Sequence, residues 1–459
     1  MIQLRDYQND ILNEVRQHMM KGIKKILVEA PTGAGKTVIA SEMLSLCKGK
    51  SMHAAFMMHR RELVKQSSET LKKFGLDHGV ISSGFKENLG EYIQVNSIQT
   101  LARRKTKPKF QLIIWDEAHH CASATWDKLF NEYPDAFHIL LTATPERLDG
   151  KGLKDYADVM VRGPKIQWLI DNGFLCDYDI YAPSQVSLKG TRIRFGDFAK
   201  DEMVEIIDNP TITGDAIKEY KKLALGKRAV IFCVTVEHSE HVVKQFNEAG
   251  IKAVHIDGKT PSAQRDYLLK EFAEGRIDVV SNVALFGEGF DLPQLEVLIQ
   301  LRPTASMSLY RQMCGRVLRM YKGKERALIL DHVGNASRHG LPCTEIEWSL
   351  EGRDKKKRDK DGTAPVRTCE RCFLTQPSMI KACQSCGLVF KISEREITEV
   401  EGELAKLDKE KMKLQQKREK SSARTLEDLI ALGKARKYKN PAAWAGHVFN
   451  SRKNYGKNN

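Results

Sequence analysis

The chain has 459 residues, enough for two domains with hydrophobic cores and one smaller module. Its hydrophobic content of 41% is typical of a soluble globular protein, no apolar run approaches the ~18 residues that span a bilayer, and the first residues lack the apolar segment of a signal peptide. These features argue against an integral membrane protein and predict a cytoplasmic one without a disulfide framework, while the net charge of +15 indicates a polyanionic partner.

Residues 1–162 alternate apolar strand-like runs with amphipathic helical patterns. The predicted strands are Lys25–Glu29, Met52–Met58, Tyr92–Asn96, Leu112–Trp115 and His138–Leu141. Such alternation is typical of a mainly parallel sheet with helices on both faces. We therefore predict a first α/β domain over residues 1–162.

An eight-residue segment after the apolar run Ile26–Val28 matches a phosphate-binding loop: Ala30, Pro31, Thr32, Gly33, Ala34, Gly35, Lys36 and Thr37. It opens a helical pattern, so it has the strand–turn–helix context that such a loop requires. The glycines let backbone N–H groups face the phosphates, Lys36 can reach the β- and γ-phosphates, and the Thr37 hydroxyl can bind Mg²⁺. Ala30 stands where the usual pattern has its first glycine.

A pair of carboxylates, Asp116 and Glu117, follows the predicted strand Leu112–Trp115. Strand ends in parallel sheets are where α/β proteins bind ligands. We expect Asp116 to hold Mg²⁺, and Glu117 to orient and deprotonate the attacking water. The alternative is a plain acidic turn, but the preceding phosphate loop favours nucleotide hydrolysis, of ATP or a close relative.

A second α/β domain is predicted over residues 163–345. Its strands are Asp179–Ala182, Arg228–Cys233, Lys252–Ile256, Asp278–Asn282, Val297–Gln300 and Arg326–Leu330, with helices such as Ser239–Ala249 and Pro261–Ala273 between them. Residues 191–212 break the alternation and are predicted to be a polar, helical insertion or connector.

Four residues near the end of this domain share one face of a predicted helix, because their spacings are three, four and seven: Gln312, Gly315, Arg316 and Arg319. Two guanidinium groups and an amide beside a small residue form a fork for phosphate oxygens. We interpret Arg316 and Arg319 as arginine fingers that complete a site whose phosphate loop lies in the first domain. A surface helix with incidental arginines is the alternative.

The ordered set of motifs, from the phosphate loop and Asp116–His119 through Leu141–Pro145 and Gly287–Asp291 to Gln312–Arg319, resembles the superfamily 2 helicases and translocases of the DEAH-box type over about residues 1–340. A closer similarity is to the bacterial RadD-like ATPases and their phage relatives. It rests on Thr235–His238, Leu301–Thr304, Ser308–Tyr310 and a cysteine-rich module after the motor.

The resemblance implies two tandem RecA-like domains and assigns further roles. Gln8 looks like the adenine-reading glutamine, with Arg5 nearby, and Gly289 and Asp291 match positions near the ribose. The residues similar to those that couple hydrolysis to nucleic-acid grip are His119, Thr142 and Thr144. The elements that look like strand-binding elements contain Arg60, Arg61, Gln99 and Thr100.

A charged linker is predicted over residues 346–364, followed by a zinc ribbon over residues 365–392. Its ligands would be Cys369, Cys372, Cys383 and Cys386, two C-x₂-C pairs separated by ten residues. Four thiolates leave no open coordination position, so the Zn²⁺ would be structural and would fold a segment too short to bury its own core. An iron–sulfur cluster or a redox dithiol is the alternative.

The remaining residues, 393–459, are predicted to be a helical, basic region. Residues 351–459 carry 26 Lys and Arg against 15 Asp and Glu, and from Lys434 onward there are seven basic residues and no acidic one. Cations interleaved with aromatic residues, among them Arg436, Lys437 and Trp444, suit a phosphate backbone with base stacking. An aromatic helix that packs on the motor, or a merely solubilising tail, is the alternative.

Taken together, the residues predict an ATP- and Mg²⁺-dependent DNA helicase or translocase with an accessory zinc module, acting in repair, recombination or replication in a bacterial or phage-infected cell. DNA is the expected partner, single-stranded, forked or branched, and the ribbon or tail would recruit recombination or replication proteins. Three alternatives remain open: the motor subunit of a restriction or nuclease system, an ATP-switched DNA clamp or loader, and an RNA helicase.

Overall fold

The computed structural model divides the chain into two units, Met1–Phe390 and Lys391–Asn459. It describes residues 3–121, 123–147, 151–182, 191–194, 197–207, 210–283, 285, 292–352, 366–390, 423, 425–435 and 440–455. Within these ranges, no helix combines the length and the apolar character needed to cross a membrane.

The first lobe of the first unit is built on a seven-stranded sheet whose pairings are all parallel. Its strands are β1 (Lys25–Glu29), β2 (Ala54–Met58), β3 (Gly79–Ile81), β4 (Ile93–Ser97), β5 (Leu112–Trp115), β6 (Phe137–Thr142) and β7 (Val159–Arg162). The spatial order β3-β4-β2-β5-β6-β1-β7 places β1 between β6 and β7. Helices on both faces bury the apolar strands, which is the two-sided covering that parallel sheets require.

The helices of the first lobe are α1 (Asp6–Met20), α2 (Lys36–Gly49), α3 (Arg61–Lys73), α4 (Ile98–Ala102), α5 (Ala124–Asn131) and α6 (Ile166–Asp171), with a 3₁₀ turn at Ala118–His120. Their apolar faces pack into two core clusters, one on each side of the sheet, and the first of these clusters continues into the second lobe. The predicted strand positions agree with the observed ones to within two residues, and β3 and β7 are additional.

The second lobe continues the chain with a second, largely parallel sheet. Its strands are β8 (Asp177–Tyr181), β11 (Ala229–Phe232), β12 (Ala253–His255), β13 (Val279–Asn282), β14 (Val297–Gln300) and β15 (Arg326–Asp331), and its helices are α7 (Lys200–Ile207), α8 (Pro210–Leu223), α9 (Val236–Glu248), α10 (Ser262–Ala273), α11 (Met307–Val317) and α12 (Asn335–His339). A separate hairpin consists of β9 (Ile193–Arg194) and β10 (Asp197–Phe198).

The hairpin corrects part of the prediction for residues 191–212, which are helical only from Lys200 onward. The physical reason lies in the side chain of Asp197. Its carboxylate accepts hydrogen bonds from the Ala305 N–H at 2.7 Å and the Thr304 hydroxyl at 2.9 Å, and it forms an ion pair with Arg302 at 3.2 Å. These long-range contacts hold the segment extended, and no local pattern encodes them.

The cysteine-rich module is joined to the second sheet. Its strands β16 (Val366–Thr368) and β17 (Leu374–Pro377) extend the order to β12-β13-β11-β14-β15-β8-β17-β16. Strand β17 pairs antiparallel with β8, and the Ala182 N–H donates to the Phe373 carbonyl at 3.1 Å. The module therefore forms an edge of the second lobe.

After α12 the chain runs back onto the first lobe, and we call residues 345–352 the return segment. Its carbonyls at Trp348 and Leu350 accept hydrogen bonds of 3.0 Å from the Arg162 side chain and the Lys154 N–H, respectively. An isolated antiparallel bridge joins Lys151 to Gly352. Residues 346–352, the first part of the predicted linker, thus pack on the first lobe, while residues 353–364 lie outside the described ranges.

The second unit contains two described helices, α13 (Leu426–Ala435) and α14 (Pro441–Tyr455). They pack against each other through a small core that includes Leu429, Ala445 and Val448. A Cβ atom on Gly433 would lie 3.2 Å from the Trp444 ring, so this indole packs within the helical hairpin.

Candidate active site

The loop between β1 and α2 has the geometry of a phosphate cradle. Gly33 and Gly35 adopt φ values of +91° and +80°, which L-residues with a side chain rarely adopt. Space is also limited, because a Cβ atom on Gly35 would lie 2.5 Å from the amide nitrogen of Gln8. Lys36 donates to the Ala30 carbonyl at 3.1 Å, so its ammonium group folds back over the loop.

The rest of the loop is tied to its surroundings by backbone hydrogen bonds. The Ala30 N–H donates to the Thr142 carbonyl at 2.9 Å, and the Ala34 N–H donates to the Pro31 carbonyl at 3.1 Å. The first bond fixes the start of the loop to the end of the neighbouring strand β6. An alanine at position 30 is therefore compatible with the fold of the loop, because it is buried and does not adopt a positive φ.

Arg5 and Gln8 lie at the rim of this loop. The Gln8 side chain donates to the Ala34 carbonyl at 3.1 Å, and Tyr7 donates to the same carbonyl at 3.0 Å. The Arg5 guanidinium lies 4.6 Å from the centre of the Phe174 ring. The sequence did not point to Tyr7 or Phe174. Phe174 follows α6, and nothing in its local pattern pairs it with residue 5.

The acid pair lies at the carboxyl end of β5. The Asp116 N–H donates to the Met57 carbonyl at 3.0 Å, which fixes the first acid beside β2. Glu117 is 8% exposed and adopts φ +50° and ψ +53°, a left-handed conformation that costs a non-glycine residue about 1–3 kcal/mol. Strain of this kind persists where surrounding contacts hold a side chain in a particular direction.

A chain of polar contacts leads from Glu117 to the second lobe through His119. The Nδ1 atom of His119 lies 3.5 Å from a Glu117 carboxylate oxygen and 3.2 Å from the Thr142 hydroxyl. Its Nε2 atom lies 3.4 Å from the amide nitrogen of Gln312. With the proton assigned to Nδ1, the ring donates to Thr142 and accepts from Gln312.

A second contact between the lobes runs parallel to this one. The hydroxyls of Thr144 and Ser308 are 2.6 Å apart and buried. Thr142 donates to the Thr144 carbonyl at 3.0 Å, which joins the two routes at the end of β6. Ser308 and Gln312 both lie on α11, one helical turn apart, so this helix contacts the residues next to the acid pair at two points.

Helix α11 also approaches the phosphate loop closely. A Cβ atom on Gly315 would lie 2.5 Å from Thr32 Cβ, and the isolated bridge between Leu175 and Arg319 holds the segment after α11 next to the loop. The resulting cleft has a volume of about 570 Å³ and both lobes line it. Its lining includes Arg5, Thr32, Gly33, Gly35, Lys36, Thr37, Asp116 and Glu117 from the first lobe, and Pro293, Arg316 and Arg319 from the second.

A buried acid that the sequence did not single out lies directly before the loop. Burial raises the pKa of Glu29 to about 7, and the positive charges of Arg311, Lys36 and Arg162 partly oppose this shift. Glu29 is the last residue of β1 and Arg311 belongs to α11. Behind the phosphate loop, Glu29 of the first lobe therefore lies close to the positive charge of Arg311 from the second lobe.

The four predicted zinc ligands form one cluster. The sulfur atoms of Cys369, Cys372, Cys383 and Cys386 all lie within 4.8 Å of one another. The sulfur–sulfur distances of 3.6 Å and 3.4 Å in two of the pairs are too long for disulfides. Tetrahedral Zn–S bonds of about 2.3 Å place sulfurs roughly 3.8 Å apart, so the donor set fits Zn²⁺.

The residues of the first lobe that are predicted to contact nucleic acid follow two neighbouring strands, because β2 and β4 pair in parallel and Met58 lies opposite Ser97. Arg60 precedes α3, and the Arg61 guanidinium lies 5.9 Å from the Phe85 ring centre. Gln99 accepts a hydrogen bond of 3.1 Å from the Ser97 hydroxyl in the first turn of α4, next to Thr100. Four predicted site residues lie outside the described ranges, namely Gly289, Asp291, Arg436 and Lys437.

Two family models match the sequence. Residues 1–147 match the res subunit of type III restriction enzymes, and residues 214–321 match the helicase conserved C-terminal domain. A "51.5 kDa protein" of Lactococcus phage (isolate 7-9) is 36% identical over 419 residues, which are 89% of this chain and 88% of that protein. The "Putative ATP-dependent helicase IRC3" of Saccharomyces cerevisiae is 29% identical over 362 residues, which are 73% of this chain and 52% of that protein.

A solved structure has the same fold. It is described as the fragment structure of a "putative HsdR subunit of a type I restriction enzyme" from Vibrio vulnificus YJ016, with a TM-score of 0.58 and 22% identity, over 73% of this chain and 65% of that chain. The predicted fold class, two tandem RecA-like parallel-sheet domains, is thereby confirmed. The chain spans about half the length of the yeast relative and about two thirds of the solved fragment.

Proposed function

The chain belongs to the superfamily 2 helicases, a family of ATP-hydrolysing enzymes, and on this premise we propose that it couples ATP hydrolysis between its two lobes to movement on DNA. One observation carries the proposal. The phosphate loop and the acid pair of the first lobe line the same cleft as Arg316 and Arg319 of the second lobe. A triphosphate in this cleft would contact both lobes.

Each residue of the cleft would then have a separate role in ATP hydrolysis. Lys36 would neutralise the β- and γ-phosphates, and the Thr37 hydroxyl and the Asp116 carboxylate would hold Mg²⁺, which supplies further positive charge. Glu117 would orient the attacking water and accept its proton. Arg316 and Arg319 would stabilise the charge that develops on the transferred phosphoryl group, as arginine fingers do.

The cycle follows from where these groups stand. The γ-phosphate charge is neutralised only when Arg316, on α11, and Arg319, just after it, meet the phosphate loop, so bound ATP favours the closed arrangement of the lobes. Hydrolysis and phosphate release remove that preference. The His119–Gln312 and Thr144–Ser308 contacts would carry the change from the acid pair to α11. Nucleic acid held by both lobes would then move relative to one of them in each cycle.

DNA is the proposed substrate because the C-terminal part of the chain is basic and because the chain belongs to the superfamily 2 helicases. The C-terminal part of the chain, residues 351–459, has 26 basic against 15 acidic residues, which suits a polyanion. Arg60, Arg61, Gln99 and Thr100 of the first lobe and Arg436, Lys437 and Trp444 of the tail are proposed contacts. The Trp444 ring packs against Gly433 within its helical hairpin. It is therefore a weaker candidate for a nucleic-acid contact than Arg436 and Lys437.

A RadD-like subtype with a structural zinc ribbon is the finer proposal for the cysteine module. The support is the cluster of four sulfur atoms within 4.8 Å of one another. Recruitment of recombination or replication proteins by the ribbon or the tail is part of this proposal. A motor subunit of a restriction system is the second candidate, favoured by the match of residues 1–147 to the res subunit.

The test is ATP turnover with single-stranded DNA, duplex DNA, forked DNA and RNA, each with a strand-displacement assay, and with Lys36→Ala as the inactive control. We expect DNA to raise kcat and forked DNA to be unwound. If RNA stimulates ATP turnover and DNA does not, the substrate is RNA and not DNA. If DNA stimulates ATP turnover but no strand is displaced, the protein is a translocase or a clamp and not a helicase. If no nucleic acid changes the rate of ATP turnover, the proposal is contradicted. Co-purification of a nuclease chain would favour the second candidate, the motor subunit of a restriction system.

A further inference from the structure

A buried lysine lies behind the segment that carries the two arginines. Lys324 stands between α11 and β15 and is 7% exposed, whereas Lys322, two residues earlier, is exposed. Its ammonium group donates to three backbone carbonyls. The distances are 2.6 Å to Leu295 and 2.9 Å to Arg319, and the third acceptor is the Val317 carbonyl.

The three acceptors belong to the chain segments that border the cleft. Val317 is the last residue of α11, and Arg319 follows it by two residues. Leu295 lies two residues after Pro293, which lines the cleft. Carbonyls at the end of a helix have no partner within the helix and carry the negative end of its dipole. A cation at this point both satisfies them and joins α11 to the segment before β14.

The number of donors equals the number of acceptors. An ammonium group has three N–H donors, and each one has a carbonyl here. Burial lowers the pKa of Lys324 to about 8, partly opposed by the Cys176 and Glu296 groups nearby, while Arg319 adds to the lowering. With a pKa near 8, the charged form still predominates at pH 7. Removal of the side chain would leave three buried carbonyls without these bonds.

A second set of contacts holds the same segment from the other side. The Cys176 N–H donates to the Leu318 carbonyl at 2.8 Å, beside the Leu175–Arg319 bridge. The backbone of residues 317–319 is therefore fixed between the ammonium group and the chain that follows α6. Only the ammonium contact depends on a side chain that can be replaced without altering the backbone.

We propose that Lys324 is a positioning residue for ATP hydrolysis, which holds the backbone at Val317 and Arg319 so that the Arg316 and Arg319 side chains reach the phosphates. The inference rests on the proposed function. Lys324 touches no substrate and acts through the two arginines. A displacement of about 1 Å in such groups can lower a rate roughly 100-fold, which sets the scale of the expected effect.

The test compares Lys324→Met with Lys322→Met, a neighbouring lysine that is exposed. For both variants and the wild type, kcat, KM for ATP, and Kd for ADP and for ADP–vanadate are measured, together with Tm. In Lys324→Met we expect kcat and the affinity for ADP–vanadate to fall about 10- to 100-fold, because both depend on the arginines. The affinity for ADP alone should stay within about two-fold, because the phosphate loop binds it. Lys322→Met should match the wild type.

If Lys324→Met does not fold, Lys324→Arg replaces it. This variant keeps the charge but changes the donor geometry, so kcat should fall while Tm and ADP affinity remain near the wild-type values. The proposal is overturned if the folded variant keeps kcat within about two-fold of the wild type, or if ADP and ADP–vanadate affinities fall equally. A wild type that hydrolyses no ATP overturns the proposed function and this inference together, whereas an active wild type with a normal variant overturns the inference alone.

Discussion

Replacement of Gly315 by alanine is expected to weaken the contact between α11 and the phosphate loop without unfolding either lobe. The new methyl carbon would lie 2.5 Å from Thr32 Cβ and 2.8 Å from Thr32 Cγ2. Carbon atoms in contact are usually about 3.5–4.0 Å apart, so roughly 1 Å of overlap must be relieved. Overpacking of this kind costs about 1–3 kcal/mol.

The overlap lies between two lobes and not within one core, so separation of α11 from the loop is the easiest relief. A penalty of about 1–3 kcal/mol lowers the equilibrium constant for lobe closure roughly 5- to 150-fold. We expect DNA-stimulated kcat to fall within that range. Within α11 itself, alanine is more favourable than glycine by about 1 kcal/mol, so the melting temperature should not fall.

The matched control is Gly214→Ala in α8, because that glycine is exposed and a Cβ atom there would meet nothing within 4 Å. Both variants gain the same helix propensity, and only one creates a clash. The assay measures kcat with DNA at saturating ATP, and Kd for ADP. If Gly315→Ala and Gly214→Ala have the same kcat, close approach of α11 to Thr32 is not needed for hydrolysis and the reasoning fails.

Three further predictions follow from other contacts. Glu117→Gln should bind ATP and hydrolyse it at least about 100-fold more slowly, as measured by nucleotide binding and phosphate release, because the amide cannot accept the proton; normal turnover would exclude Glu117 as the base. Elemental analysis should find about one Zn per chain. Cys383→Ser should lower the zinc content and also the protection of the β17 amides against hydrogen exchange. Iron in place of zinc would contradict the assignment of the cysteine cluster as a zinc site. The raised pKa of Glu29, about 7 against 4.5, contributes about 3 kcal/mol to folding that is fully present below pH 4.5 and is lost as the pH rises through 7. Urea unfolding between pH 4.5 and 7.5 should show this loss in the wild type and not in Glu29→Gln; equal slopes would show that Glu29 titrates normally.

Much of the fold could be predicted because the sheets are parallel and covered on both faces. Strands such as Leu112–Trp115 and Val297–Gln300 are buried throughout, and therefore read as continuous apolar runs whose limits agree with the structure. Gly79–Ile81 was missed because this edge strand is only three residues long, and Val159–Arg162 was missed because it is short and only partly buried. The β9–β10 hairpin depends on contacts of Asp197 with residues more than 100 positions away.

The site could be predicted where its chemistry is local. The phosphate loop, the acid pair and the helix that carries Gln312 and Arg316 are each encoded within a few residues. The helical prediction is wrong for Arg319, because α11 ends at Val317 and Arg319 pairs with Leu175 in an isolated bridge. Phe174, Glu29 and Lys324 could not be found in this way, because each acquires its partners from a distant part of the chain. Ser308 lies in a motif that the sequence singled out, but its contact with Thr144 could not be predicted. A buried lysine has the same local signature as an exposed one, and only the fold distinguishes Lys324 from Lys322.

The return segment has a mechanical consequence for the two lobes. The chain leaves the first lobe after α6 and comes back to it at residues 345–352, where Trp348 and Leu350 are anchored by hydrogen bonds. The chain also passes from α12 to the return segment and from residue 352 to β16, which belongs to the second sheet, so three covalent passages join the lobes. Because the return segment is held on the first lobe between two of these passages, we expect it to restrict the directions in which the cleft can open.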